Sequence, residues 1–337
     1  MKILPAGEPK RDPARALFLS CVFLFLLLAS LYSIVTPIFE ASDELFHFPY
    51  VLHVARTSSL PVQEAGRRSL WAQEGSQPPL YYLLSALLVA PLNTDDFADV
   101  YRLNPHSAIG VPLSHGNKNM VIHTEQESFP WRGTVLAVHL VRFFSVLLGV
   151  GTVVLTGLLA RRIGMGVKET VLALSLVAFN PMFLFITGSV NNDNLAAFLG
   201  AVTILLLMKA FQEGFAPSRA LIIGFFLGLA ALTKLSLLTL LPMAFLGLLW
   251  EVKQRKRPLG QGLRPLALMS LPPVFIAGWW YLRNWILYKD FTGLSAMLTI
   301  AGERPSPVRW WDFFLRRRIP GAEVLVLGSL WRVQRPG

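Results

Sequence analysis

Residues Ala16–Thr36 form a run of twenty-one residues without a single charge, and two adjacent carboxylates, Asp43 and Glu44, follow about seven residues beyond it. A run of that length crosses a bilayer as one helix. The segment from Phe39 to Phe48 is therefore expected at a membrane surface, on the side away from the N-terminus. Neighbouring carboxylates beside an apolar phase are costly unless they are solvated, paired, metal-bound or used in chemistry. This pair is the first candidate for a reaction centre.

The remaining pattern points the same way. The chain is 53% hydrophobic and 15% charged, with a mean hydropathy of +0.51, outside the range of soluble domains. Its net charge of +11 does not indicate a nucleic-acid partner, because Lys and Arg cluster between apolar runs rather than on a basic face with interleaved aromatics. Cys21, the one cysteine, lies in the first run, so neither a disulfide framework nor a thiolate cage is expected. Lys10, Arg11 and Arg15 precede an apolar core longer than that of a cleaved signal, so the first helix is expected to stay as an anchor.

Further apolar runs cover Phe143–Ala160, Val171–Val190, Leu195–Met208, Ala220–Trp250 and Leu266–Leu282. The Ala220–Trp250 run has thirty-one residues and one charge, Lys234, and is expected to split near Thr233–Ser236 into two short helices. The fold class is then an all-α, polytopic helical membrane protein of about seven transmembrane helices. Leu80–Leu92, only thirteen residues, is expected as an interfacial or re-entrant helix. That choice puts Lys2/Lys10/Arg11/Arg15, Arg161/Arg162/Lys168, Lys209/Arg219 and the Lys253–Arg264 loop on one side. The N-terminus is accordingly cytoplasmic, in the cell's inner (plasma) membrane, and residues 37–138 make a large first extracytoplasmic loop with interfacial helices. A transmembrane domain over 1–315 and an atypical or truncated tail over 316–337 complete the expected organisation.

Several short motifs occur in a consistent order: Pro37…Asp43-Glu44…His47…Tyr50, Gln77-Pro78-Pro79-Leu80-Tyr81-Tyr82, Arg142-Phe143-Phe144-Ser145, Asn191-Asn192-Asp193, Gly228-Leu229-Ala230-Ala231-Leu232-Thr233-Lys234 and Arg283-Asn284-Trp285. Over roughly residues 15–295 the chain resembles the GT-C membrane glycosyltransferases, and among them the polyprenol-phosphate-dependent protein mannosyltransferases and the aminoarabinose transferases. The resemblance implies a polyprenyl-phosphate sugar donor, an acceptor that is a protein, lipid or glycan, and an acidic residue of the first outer loop at the transfer centre. Carried over, that residue is Asp43, with Glu44 as its neighbour.

The chemistry fits. A carboxylate can take the acceptor's hydroxyl proton as the sugar's C1 is attacked, and one displacement inverts the anomeric centre. The leaving phosphate needs a cation, a Lys, an Arg or a divalent metal. Arg283, Lys234, Arg142 and Arg56 are the candidates, in that order, with Gln77, Tyr81 and Tyr82 as further donor contacts. The plainer readings stand beside these: Asp43 caps a helix that begins near Glu44, Lys234 snorkels, and Arg283 anchors a helix end. His47, on one helical face with the carboxylates, is a metal ligand, an orienting group or a structural histidine. No cofactor is otherwise implied. Two alternative functions remain open at this level, a truncated or non-catalytic membrane subunit and a transporter.

Overall fold

The computed structural model describes residues 13–301 apart from 65, 68, 108–116 and 256–257. The expected tail over 316–337 and part of the Lys253–Arg264 basic loop therefore lie outside the described residues. Among those described, helices carry the fold, and an isolated antiparallel bridge between Leu103 and Val121 is the sole β pairing.

The first helix, α1 (Pro13–Val35), sets Phe25 and Ala29 inward and leaves Phe23, Leu27, Leu31 and Val35 to the bilayer. After it come α2 (Glu44–Thr57), a 3-10 helix over Ala72–Ser76, α3 (Leu80–Val89) and the single turn α4 (Phe97–Val100). Pro49 stands inside α2 and has no N–H to give Leu45. The Tyr101 hydroxyl donates to that carbonyl instead, at 2.9 Å, fastening the segment after α4 to α2. His123 lies 2.9 Å from both Glu40 and Glu127, while the Glu40 carboxylate also accepts from the amides of Met120 and Val121. The stretch around residue 120 is thus tied to the chain just before α2.

The next helix, α5 (Gly133–Arg162), starts ten residues ahead of its apolar run, because Asp96 accepts from the Thr134 amide and caps its first turn. The following run is not one straight span. It breaks at Asn180-Pro181 into α6 (Val167–Ala178) and α7 (Pro181–Thr187), bent by 59°. Proline disfavours helix at the residue before it, and Asn180 Oδ1 accepts from the amides of Met182 and Phe183 to restart the helix. Then come α8 (Asp193–Glu213), α9 (Pro217–Ala231), α10 (Leu240–Gln254) and α11 (Leu259–Tyr288), followed by α12 (Leu294–Ala301), which packs on the 3-10 helix of residues 72–76. In α9 a Cβ at Gly224 would come within 2.5 Å of the Met269 carbonyl oxygen, so a small residue there lets the backbones of α9 and α11 approach.

Among the described residues five helical stretches are long and apolar enough to cross, with α10 counted together with the 3-10 turn of Leu235–Thr239 before it, and six if α6 and α7 count as one bent span, beside the about seven expected. The seventh, α9, has 15 residues and rises only about 22 Å, short of a hydrocarbon core about 30 Å thick. The long run does break at the lysine: α9 ends at Ala231, and a 3-10 turn over Leu235–Thr239 leads into α10. The Ala231 carbonyl accepts from Tyr281 Oη, and the Leu232 carbonyl accepts from the Leu80 amide at the start of α3.

Candidate active site

Contacts join one end of the bundle, where α1 finishes and α2, α5 and α8 begin. Arg142 on α5 is completely buried and holds Glu44 with two parallel bonds, Nε to Oε1 at 2.8 Å and Nη2 to Oε2 at 2.5 Å. Its remaining donors go to the carbonyls of Ser33, Thr36 and Pro37, the acceptors left open where α1 ends. Glu44 also accepts from the amides of Phe39 and Val190. Glu44 and Arg142, both sequence candidates, are therefore consumed by one another and by backbone, with no surface for a ligand. The pair fixes the α1–α2 connection, α5 and the α7–α8 turn in one place.

Asp43 beside it behaves differently. Its side chain makes no capping bond to α2, and its backbone is left-handed, with φ 59°. That conformation is unfavourable for a non-glycine residue and persists only where the surroundings impose it. Here the bonds on Glu44 hold the next residue. The Asp43 carboxyl is raised above its ordinary range by burial, partly opposed by the charge of Lys234.

Lys234 sits at the break between α9 and α10, its Nζ 2.5 Å from Asp193 Oδ1 and 3.5 Å from Asn192 Oδ1 at the start of α8. Asn191 Oδ1 accepts from the Asp193 amide, and Asn194 Nδ2 donates to the carbonyls of Ile186 and Asn191, so this short connection is held by its own amides. Asp193 faces the lysine.

Tyr81 and Tyr82, candidate donor contacts on the helix expected to be interfacial or re-entrant, are fully buried. Tyr81 Oη is 2.8 Å from Ser145 Oγ and accepts from the Asn191 amide at 3.1 Å. Tyr82 Oη is 2.8 Å from His47 Nδ1 and its ring stacks on Tyr50 at 3.7 Å. Both hydroxyls brace the site from within. Burial, then the Lys234 charge, pushes His47 down to about 3, so its ring is neutral. The Glu74 carboxylate oxygen 3.8 Å from His47 Nδ1 is therefore neither an ion-pair partner nor close enough for a hydrogen bond. The metal reading of His47 lacks a donor set: among the described residues no three His, Cys, Asp or Glu side chains come together to hold an ion.

Of the other cations, Arg283 donates to the Pro61 carbonyl at 2.7 Å and stacks on Trp280, and Arg56 donates to Thr94 Oγ1. Gln77 offers its backbone carbonyl to Tyr50 Oη at 3.4 Å. Among the four cationic candidates Lys234 alone faces Asp43. Glu74 was not among the sequence candidates. It is 5% exposed, and burial followed by the charge of Asp43 raises it to about 7. One signal could have found it: Glu74 is the only charged residue between Ser69 and Thr94.

A groove of about 680 Å³ runs from Asp193 and Ser236 past Phe183, Ile186, Ala197 and Ile204 to Leu159, between α7, α8 and the turn before α10. Its polar lining comes from Asp193, the partner of Lys234, with Asn194, Ser236 and Asn180, and the rest is apolar.

A family model described as dolichyl-phosphate-mannose-protein mannosyltransferase matches residues 92–288, more than half of the 337 residues. No curated protein and no solved structure matches the chain.

Proposed function

The chain belongs to the dolichyl-phosphate-mannose-protein mannosyltransferase family of GT-C membrane glycosyltransferases, which use polyprenyl-phosphate sugar donors, and on that premise we propose that Asp43 is the general base of an inverting sugar transfer. The observation that carries this reading is the contrast between neighbours. Glu44 is saturated by Arg142 and two amides, whereas Asp43 has a strained backbone, no capping bond and a raised carboxyl facing a lysine.

In the proposed step the acceptor's hydroxyl oxygen attacks C1 of the sugar and its proton passes to Asp43. The bond from C1 to the phosphate oxygen breaks, and the electron pair leaves with the phosphate. Lys234 offsets that growing charge. The groove lined in part by Asp193 suits an isoprenoid tail, with the phosphate beside the Lys234–Asp193 pair. The reaction is assigned to the extracytoplasmic face of the inner membrane, with the N-terminus cytoplasmic. In support, Arg162, Arg219 and Arg255 pair with Glu213 and Glu251 where α5, α8 and α10 end and α9 begins. The sugar is a hexose or pentose and the acceptor a hydroxyl of a protein, lipid or glycan.

Lys234, a lone charge in an apolar run, is the feature that best suits a transporter. Its pairing with Asp193 at a helix junction favours transfer over transport. The test is transfer of labelled sugar from a panel of polyprenyl-phosphate sugars in membranes carrying the chain or D43N. Loss of transfer in D43N, at unchanged insertion, is the expected result; full activity in D43N would remove Asp43 from the mechanism.

A further inference from the structure

We infer that Gly200 on α8, with Leu237 lying against it, determines which lipid tails the groove accepts, by keeping clear the path that leads away from the Lys234–Asp193 pair. The inference rests on the donor reading above and adds to it the residue that selects the tail. Two elements run on from that pair and meet again further along. On α8, Gly200 lies about two turns beyond Asp193, a rise of about 10 Å. In the turn before α10, the Leu237 amide donates to the Lys234 carbonyl at 3.1 Å, so the residue that holds Asp193 also sets the place of Leu237. Gly200 and Leu237 both line the groove.

Helix packing does not demand a glycine here. Position 200 is in the interior of α8, where glycine lowers stability relative to alanine. Beyond its own helix backbone, a Cβ at Gly200 would have one neighbour within 4 Å, Leu237 Cδ2 at 3.6 Å, which is an ordinary contact. The packing glycines of the spans differ. A Cβ at Gly149, Gly224 or Gly247 would come within 2.5 Å of Thr187, the Met269 carbonyl or Phe211. What the missing side chain provides at position 200 is clearance: Leu237 settles against α8, and the space beside the two residues stays open.

The occupant that fits is the methyl-branched isoprenoid tail of the donor. Around Gly200, α8 lines the groove with Ala196, Ala197 and Ala201, small side chains that leave room for methyl branches, while α7 contributes the bulkier Phe183 and Ile186. Asn194, 2% exposed, is also in the lining, and its Oδ1 meets no donor among the described residues. A hydrocarbon cannot serve that oxygen, whereas a hydroxyl of the donor's sugar can. Lys234 supplies the charge for the phosphate between sugar and tail. In a bilayer the tail is already in an apolar medium, so the groove gains affinity through fit rather than through removal from water. Clearance at one residue therefore decides which tail is held.

The test compares wild type, G200A and G200L as full chains in lipid nanodiscs, with two mannosyl phosphates as probes. One carries an isopentyl tail, which ends short of Gly200, and the other the long dolichyl tail. Dolichyl-phosphate mannose should bind G200A severalfold and G200L about tenfold more weakly than wild type, the scale of overpacking a filled space. The isopentyl probe should bind all three alike, and G200A should unfold no earlier than wild type. Equal dolichyl affinity in the three proteins would overturn the inference and leave the donor reading standing. An equal loss for both probes would also overturn it, since the substitution would then act on the head group's place. A dolichyl donor with a diazirine in its tail should label α8 near Gly200. Labelling there by diazirine-bearing phosphatidylglycerol that dolichyl-phosphate mannose fails to displace would give the groove to bulk lipid instead. If neither probe bound the wild type, the donor reading would fall and this inference with it.

Discussion

Glu44 and Arg142 lie 98 positions apart in the chain and form a doubly bonded ion pair from which solvent is excluded. Because Arg142 also gathers three carbonyls at the end of α1, this pair is the knot that sets the backbone of Asp43. Removing one partner strands a buried charge and is expected to cost about 3–5 kcal/mol. R142M or E44Q alone should lower the unfolding temperature and membrane yield sharply, and the double change should recover part of the loss. Thermal unfolding of the four proteins in nanodiscs decides it, and strictly additive losses would disprove the coupling.

Tyr101 and Pro49 should be coupled through one carbonyl. Y101F removes the hydroxyl that serves Leu45 O and is expected to cost about 1 kcal/mol. In a P49A background the new amide at position 49 reaches that carbonyl itself, so Y101F should then be nearly silent. A double-mutant cycle with equal Y101F effects in both backgrounds would show that the proline is not the reason for the bond.

Asp43 should separate activity from stability. As general base its loss is expected to slow transfer by about 10²–10⁴-fold. Its stability effect has the opposite sign. The folded-state carboxyl is raised above 3.8, so its contribution is full below that value and declines as pH rises through the raised folded value. D43N does not titrate, so relative to wild type it should gain stability across that window and unfold at neutral pH no more easily than wild type. Unfolding scans from acid to neutral pH measure this directly; a D43N chain that is unstable at neutral pH would mean the side chain has a structural role.

Much of this was legible in the sequence, and the gaps have physical causes. Apolar runs fixed where helices form, because backbone in lipid must satisfy itself. The break at Lys234 could be read because one charge interrupts thirty-one apolar residues. The bend at Asn180-Pro181 lies inside an apolar run, where hydropathy alone does not reveal it. The roles of Asp43 and Glu44 could not be divided from sequence: adjacent carboxylates look alike until a distant arginine selects one. Tyr81 and Tyr82 read as donor contacts because they sit on a short helix beside the outer loop, but partners on α2 and α5 draw both inside. Glu74 escaped notice because its burial depends on a turn through a left-handed alanine, which no periodicity reports.

Lys234 gives the sharpest test of how the donor is held. Its ammonium is bound to Asp193, yet the side chain keeps 24% of its surface, so it can meet a phosphate without leaving the site. A hydrogen bond to a charged group is worth about 1.5–3 kcal/mol, so K234M should weaken donor binding by roughly 10–100-fold. K234R keeps the charge but not the compact head, and should recover part of that loss. D193N removes the competitor for the ammonium and should strengthen binding of dolichyl-phosphate mannose, provided Asn191 and Asn194 still hold the turn. Affinities of the three variants, measured in nanodiscs, give an order. Wild-type binding in K234M would move the phosphate contact elsewhere, and weaker binding in D193N would mean that Asp193 aims the lysine rather than competes for it.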